Sequence, residues 1–131
     1  MIDLAGKTVL VTGGARGIGA QIVRTMAAAG ANVILHFTSD AGVAQTVASE
    51  VGEGRCRVLR ADFMDDGQIR QLWADALAWK GRIDVLVNNA GVFEPAAVDD
   101  DFGKWTEIWQ RALQINLIAA GHLCREAIPH F

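Results

Sequence analysis

The sequence lacks any apolar run long enough to cross a membrane. No uninterrupted apolar stretch reaches the roughly 18 residues that a membrane span requires. The first residues, Met1–Gly6, show no basic segment followed by an apolar core, so they do not resemble a secretory signal. We therefore expect a cytoplasmic protein that does not act at a membrane.

Basic residues and cysteines are also scarce. The net charge of −3 disfavours nucleic acid as a partner, because phosphate backbones attract basic surfaces. Cys56 and Cys124 have no C-x-x-C spacing, which predicts buried free thiols in a reducing compartment. The three histidines, His36, His122 and His130, lack the spacing of metal ligands, so no metal site is predicted.

The hydrophobic residues, 51% of the chain, alternate between strand-like and helix-like patterns, which predicts a buried core. The predicted strands are Lys7–Thr12, Asn32–His36, Cys56–Ala61 and Ile83–Asn88. The predicted helices are Gly17–Ala29, Asp40–Val51, a segment from Asp65 or Asp66 to Lys80, and Phe102–Ile128, with a break expected near the start of the last.

This alternation predicts an α/β fold with a doubly wound parallel sheet, because strand–helix–strand units require right-handed crossovers between parallel strands. A chain of 131 residues is one domain at most. We expect residues 1–131 to form the N-terminal part of a Rossmann-like domain with strand order 3-2-1-4. In such sheets, ligands bind at the carboxyl ends of the strands where the order reverses, here between the first and fourth strands.

A glycine-rich turn connects the first strand to the first helix within Val9–Ala20. Gly13 can take a positive φ, Gly17 lets the backbone approach a bound group, and Gly19 lets the helix pack against the strand. The amide groups of the helix start, near Ile18, are expected to face a pyrophosphate. The spacing G-x-x-x-G-x-G differs from the G-x-G-x-x-G fingerprint, so the turn alone leaves an ordinary strand–helix connection as an alternative.

Two motifs together resemble the short-chain dehydrogenase/reductase family. They are Thr12–Gly19 (TGGARGIG) and, at the end of the fourth strand, Asn88–Gly91 (NNAG). Asp62 after the third strand and Asn116 in the last helix match two further family positions. The resemblance implies an NAD(P)-dependent oxidoreductase that moves a hydride between C4 of nicotinamide and a carbonyl or secondary alcohol, its small-molecule substrate.

The resemblance also implies a role for each matching residue. Thr12 would tie the strand end to the neighbouring backbone, and Asp62 would accept a hydrogen bond from the adenine amino group. An Asp that ends a strand in a turn is the alternative for Asp62. The implied cofactor contacts are Thr12, Gly13, Arg16, Gly17, Ile18, Gly19, Phe37, Thr38, Ser39, Asp62, Phe63, Asn89, Ala90 and Gly91.

The remaining matches follow the fourth strand. Asn88 and Asn89 would stabilise that strand, while Ala90 and Gly91 would let the backbone lie beside the cofactor ribose. Asn116, the one catalytic position implied in this chain, would distort its helix and help to position a proton-relay water. A mid-helix asparagine that faces solvent is the alternative.

The cofactor choice depends on the end of the second strand. NAD-binding proteins place an acidic residue there to hold the ribose hydroxyls, whereas this chain has Phe37, Thr38 and Ser39, with no carboxylate before Asp40. Arg16 in the turn is able to reach a 2′-phosphate as a charge-assisted partner. We therefore predict NADP(H) over NAD(H), with a solvated Arg16 as the alternative.

The resemblance further implies residues that this chain does not contain. Family members continue with a fifth strand that carries a catalytic serine and then a Tyr-x-x-x-Lys helix, whereas this sequence has no tyrosine. Because the acid–base group must lie within hydrogen-bond reach of the substrate oxygen, we expect the 131 residues alone to be inactive. The chain is then part of a longer reductase, one half of a complementing pair, or a non-catalytic dinucleotide-binding module.

The last helix is the expected site of self-association. Trp105 and Trp109 are four residues apart and so share a helix face. Core packing is one role for that pair, but in the family the equivalent helix commonly forms a subunit interface. We therefore expect a homo-oligomer assembled through the last helix.

Overall fold

The computed structural model describes residues 1–131 as alternating strands and helices. The strands are β1 (Thr8–Val11), β2 (Asn32–Phe37), β3 (Cys56–Arg60) and β4 (Val85–Val87). The helices are α1 (Gly17–Ala28), α2 (Ala41–Val51), α3 (Asp66–Lys80), α4 (Phe102–Leu113) and α5 (Ala119–His130), with a π-helical segment over Gln114–Ile118 between the last two. No helix combines the length and apolarity needed to cross a membrane.

The sheet has the order β3-β2-β1-β4 and all its pairings are parallel, so the predicted architecture is confirmed. Val9 on β1 is in register with Val33 on β2 and Val85 on β4. β1, β3 and β4 are one to three residues shorter than predicted, and β2 extends one residue further, to Phe37. The amide of Thr12, just beyond β1, still donates to the carbonyl of Val87 at 3.0 Å.

Two apolar cores lie on opposite faces of the sheet, because successive strand residues point to opposite sides. Leu10 and Ile34 pack against α3 and α5, whereas Val9, Val33 and Leu35 pack against α1 and α2. The apolar face of α3 supplies Ile69, Leu72, Trp73 and Ala76 to the first of these cores.

Aspartate side chains cap the starts of α2 and α3, and a glycine ends α3. Asp40 accepts the amide of Val43 at 3.1 Å, and Asp65 accepts the amide of Gln68 at 3.1 Å. Each carboxylate satisfies a first-turn donor that has no partner within the helix. Gly81 ends α3 in the left-handed conformation, with φ of 72°.

Two sequence-based expectations about the last third of the chain are wrong. The long helix does not break near its start, where Asp101 accepts the amide of Lys104 at 3.0 Å; the irregularity is the π-helical segment at its centre. Cys124 is exposed, because its position on α5 faces away from the core. Cys56 is half-buried, and burial raises the pKa of its thiol to about 11.

Candidate functional site

Thr12 joins the carboxyl ends of β1 and β4. Its hydroxyl accepts the amide hydrogens of Asn89 and Ala90, each at 3.0 Å, and donates to the carbonyl of Val87 at 3.3 Å. The side-chain amide of Asn89 donates in return to the carbonyls of Thr12 and Gly13, at 3.0 and 3.1 Å. The two motifs of the sequence are therefore one hydrogen-bonded unit at the place where the strand order reverses.

The turn leaves no room for a Cβ at Gly19 and little at Gly13. A Cβ on Gly19 would lie 2.0 Å from the carbonyl oxygen of Gly13 and 2.5 Å from Nδ2 of Asn89. Gly13 has φ of +62°, and its Cβ would stand 3.0 Å from Cα of Ala90. The start of α1 can therefore lie against the end of β1 only because residue 19 is glycine.

The start of α1 is open and has no side-chain cap. Arg16 occupies the cap position in an extended conformation, its side chain bonds none of the first-turn amides, and that turn holds no acidic residue. Gly17 has φ of +50°, a Cβ at this position would meet no atom within 4 Å, and Ile18 is 76% exposed. The helix dipole and these free amides give the mouth of the turn the chemistry that an anionic group requires.

Arg16 forms an ion pair across the mouth of this site. Its Nη2 lies 2.7 Å from Oδ2 of Asp40, whose other oxygen caps α2. Thr38 and Ser39, on the connection into α2, are exposed beside this pair, whereas the side chain of Phe37 is buried in the core. Of these predicted contacts, Phe37 can offer a ligand only its main chain.

The third strand ends in a turn built by Asp62. Its Oδ1 accepts the amide of Met64 at 2.9 Å, and its own amide donates to Gln68 at 2.9 Å. Phe63 is buried, and its carbonyl accepts a hydrogen bond from the side chain of Gln114 at 3.1 Å. Asp62 thus has the turn role that the sequence leaves open, at the same edge of the sheet as the glycine turn.

His36 is a polar side chain of this site that sequence reasoning does not identify. Its Nδ1 accepts the amide of Gly13 at 3.1 Å, and its Nε2 lies 3.0 Å from the carbonyl oxygen of Ala61. The ring is 1% exposed, and burial lowers its pKa from 6.5 to about 4. The only signal in the sequence is a histidine within the apolar run of β2, which does not indicate its partners.

Asn116 lies in the π-helical segment and binds the backbone after the NNAG motif. Its Oδ1 accepts the amide of Val92 at 2.7 Å, and its Nδ2 donates to the carbonyl of Val92 at 2.8 Å. Both polar atoms of the side chain are therefore used within the chain. Asn88 donates to Sγ of Cys124 on α5 at 3.3 Å, so the NNAG motif also contacts the helix that follows the π-helical segment.

No three or more His, Cys, Asp or Glu side chains are grouped as they would be around a metal ion. The site is instead made of glycine backbone, amide donors, hydroxyls and one exposed guanidinium. Such a set fits a phosphate-containing ligand rather than a cation.

The chain matches the family model described as short chain dehydrogenase over residues 7–131. It is 40% identical over 131 residues to 3beta-hydroxysteroid dehydrogenase 1 of Eggerthella lenta, covering 98% of this chain and 49% of that protein. It is 39% identical over 127 residues to D-beta-hydroxybutyrate dehydrogenase of Cupriavidus necator, covering 96% of this chain and 48% of that one.

Solved structures agree with these relatives. The Pseudomonas aeruginosa RhlG/NADP active-site complex superposes with a TM-score of 0.85 at 31% identity, covering 98% of this chain and 49% of that one. The 3-ketoacyl-(acyl-carrier-protein) reductase from Brucella melitensis complexed with NADH gives 0.85 at 29% identity, covering 98% and 51%. The chain thus spans about half the length of the proteins it matches.

Proposed function

The chain belongs to the short-chain dehydrogenase/reductase family, and we propose on that basis that it forms the dinucleotide-binding part of an NAD(P)(H)-dependent oxidoreductase. When bound, a reduced nicotinamide would give a hydride from C4 to a carbonyl carbon, and an oxidised one would take a hydride at C4 from a secondary alcohol. The observation that best supports the proposal is the uncapped start of α1 beside the Thr12–Asn89 unit. Solved relatives in complex with NADP and with NADH support a nicotinamide dinucleotide as the ligand.

In the proposed complex, the residues of the turn bind the two bridging phosphates. The amides of Gly17 and Ile18 are the donors, and the absence of a Cβ at residue 17 leaves room for the ligand to approach them. Thr12 and Asn89 contribute to the site without a direct ligand contact. Their hydrogen bonds fix the distance between the turn and the segment after β4.

The two ends of the dinucleotide are proposed to lie along the same edge of the sheet. Asp62 accepts a hydrogen bond from the adenine amino group through its carboxylate, and the buried Phe63 contributes its main chain. Ala90 and Gly91 lie beside the ribose of the nicotinamide half. Asn116 holds Val92, the next residue of that segment, and so keeps it close to the π-helical turn.

We propose NADP(H) as the preferred cofactor. Arg16 is 70% exposed at the mouth of the site, where its guanidinium can bind a 2′-phosphate after it leaves Asp40. Thr38 and Ser39 offer hydroxyl and amide donors to the same group. The Arg16–Asp40 pair opposes this preference in part, because a bound phosphate must compete with the carboxylate.

We propose that the 131 residues bind the cofactor without turnover, because none of them is a tyrosine that could serve as the proton donor. A non-catalytic dinucleotide-binding module, or one half of a complementing pair, is the second candidate for the same reason. The two free cysteines favour a reducing, cytoplasmic compartment.

We also propose that the chain self-associates through its last long helix. Trp105 and Trp109 stack with ring centroids 5.1 Å apart, and Trp109 is 50% exposed. Leu113 and Leu117 continue the exposed apolar face toward the π-helical segment. Light scattering of the purified chain tests this, and a monomer at high concentration would contradict it.

Fluorescence titration of the purified chain with NADPH and with NADH tests the main proposal. We expect saturable binding of both, tighter for NADPH, and no consumption of either in the presence of ketones or aldehydes. Failure to bind either cofactor would contradict the proposed function, whereas turnover would contradict only the proposed lack of activity.

A further inference from the structure

The imidazole of His36 connects two segments that are far apart in the chain. On one side, Nδ1 accepts the amide of Gly13, the first glycine of the turn. On the other side, Nε2 lies 3.0 Å from the carbonyl of Ala61, the residue that leaves β3. One ring from β2 thus spans the gap between the end of β1 and the end of β3.

These two contacts require one protonation state. Nδ1 faces a backbone N–H and must be an unprotonated acceptor, while Nε2 faces a carbonyl and must carry a hydrogen to donate. Only the neutral Nε2–H tautomer meets both conditions. Protonation of Nδ1 would place its N–H against the N–H of Gly13 in a buried site. The surroundings therefore hold the ring in the neutral Nε2–H form.

The ring has little freedom to move. It stacks on the ring of Phe63 with centroids 4.2 Å apart and an angle of 3° between the planes, and it is 1% exposed. The backbone of His36 adds a further contact to the turn, because its carbonyl accepts the amide of Gly14 at 2.9 Å. Thr38 also donates to the carbonyl of Ala61, at 3.2 Å.

We infer that His36 is a positioning residue that sets the separation of the Gly13 turn from the Ala61–Phe63 segment. The inference rests on the proposed function, in which the turn binds the bridging phosphates and the segment after β3 binds adenine. His36 then aligns the two recognition sites for the adenosine diphosphate part of the ligand before the ligand arrives. It touches neither the ligand nor the reacting atoms.

Pre-alignment of this kind affects affinity through the fraction of molecules that are competent to bind. If loss of the Gly13 contact leaves about one tenth of the turns correctly placed, the apparent Kd rises about tenfold. The effect on the nicotinamide half should be smaller, because His36 has no hydrogen bond to the segment after β4 and is linked to it only through Gly13, which accepts a hydrogen bond from Asn89.

Substitutions at residue 36 can remove the two contacts separately. Asparagine carries an acceptor at the position of Nδ1 and can keep the Gly13 bond, whereas glutamine carries a donor at the position of Nε2 and can keep the Ala61 bond. Phenylalanine keeps a flat ring on Phe63 and removes both contacts. Val47→Ala is the matched control, because Val47 is 3% exposed in the core on the opposite face of the sheet from Phe63, on which His36 stacks.

The test is titration of the full chain with NADPH and with ADP at a temperature where every variant is folded. We expect His36→Asn to bind within about threefold of the unchanged chain, because Thr38 still donates to the carbonyl of Ala61. His36→Gln and His36→Phe should lose about tenfold for both ligands, which is about 1.4 kcal/mol. Val47→Ala should lose stability and keep its affinity. Nitrogen NMR of the unchanged chain should show the Nε2–H tautomer of His36.

The inference is overturned if His36→Gln binds both ligands as tightly as the unchanged chain, or if Val47→Ala loses as much affinity as His36→Gln. If His36→Phe does not fold, the comparison of His36→Asn with His36→Gln still decides, since each keeps one of the two bonds. Absence of binding by the unchanged chain would instead overturn the proposed function and, with it, this inference.

Discussion

Gly19 and Gly13 are in contact across the turn, so that a Cβ on Gly19 would lie 2.0 Å from the carbonyl oxygen of Gly13. This contact decides how close the start of α1 comes to the end of β1. It also brings the helix start to the side-chain amide of Asn89, which bonds the same carbonyl at 3.1 Å. The glycine spacing of the motif is therefore a packing requirement of the strand–helix joint.

The first prediction follows from that contact. Gly19→Ala forces α1 away from the turn, and we expect it to lower the free energy of unfolding by about 2 kcal/mol or more, as overpacking does in a closed site. Gly121→Ala on α5 is the control, because its Cβ would meet nothing within 4 Å. Since alanine is the better helix former, the control should gain up to about 1 kcal/mol. Urea unfolding gives the free energy of unfolding of both variants. An equal change in the two would contradict the packing account.

The second prediction concerns cofactor choice. Arg16→Ala should weaken NADPH about tenfold and leave NADH nearly unchanged, because a charge-assisted hydrogen bond is lost only for the phosphorylated ribose. Asp40→Asn should strengthen NADPH binding, since it removes the competing charge at 2.7 Å and keeps an acceptor for the amide of Val43. Asp101→Asn changes the cap of α4 in the same way, away from Arg16, and should change neither affinity. The NADP preference would be refuted if the unchanged chain bound the two cofactors equally, or if Arg16→Ala did not change the affinity for NADPH.

The third prediction is a pH dependence of stability. The pKa of His36 is about 4 in the folded chain and 6.5 in the unfolded chain, so the unfolded state takes up a proton first as the pH falls. The stability present above pH 6.5 should therefore decline between pH 6.5 and 4, by about 2–3 kcal/mol in all. Unfolding in urea at pH 7 and pH 4.5 measures this loss. His36→Asn should lose less unfolding free energy between these two pH values than the unchanged chain. An equal loss in both would show that His36 is not the group responsible.

The fourth prediction concerns the segment after β4. Asn116→Ala removes both hydrogen bonds to Val92, so we expect the amide of Val92 to exchange with solvent about tenfold faster. Gln110→Ala, an exposed position on α4, is the control and should leave this amide unchanged. Hydrogen exchange followed by NMR gives both rates. An unaltered rate in Asn116→Ala would show that the segment is held by other contacts.

Features that depend on local sequence could be predicted without the structure. The strand order follows from the alternation of apolar strands with amphipathic helices, and the caps at Asp40 and Asp65 follow from the chemistry of helix starts. Thr12 and the NNAG segment could be placed together because parallel strands end at the same edge of a sheet.

The hydrogen-bond partners of particular side chains that are distant in the chain could not be predicted. His36 bonds residues 23 and 25 positions away, and nothing in the apolar pattern of β2 indicates either partner. Arg16 and Asp40 are 24 positions apart and are paired only because α1 and α2 begin at the same edge. The family resemblance implies a helix distorted at Asn116, and the π-helical segment contains this residue, but nothing in the sequence indicates its two bonds to Val92.

The most direct test of the central claim compares two glycines that both have a positive φ, so that alanine is unfavourable at either position. Gly17 and Gly6 have φ of +50° and +76°, and a Cβ on either would meet no atom of the chain within 4 Å. Gly17→Ala places its methyl group at the open start of α1, whereas Gly6→Ala places it before β1, at the opposite end of the sheet. We predict that calorimetric titration with NADPH gives at least about tenfold weaker binding for Gly17→Ala than for Gly6→Ala. Equal affinities for the two variants would contradict the claim that the mouth of this turn binds the bridging phosphates of a dinucleotide.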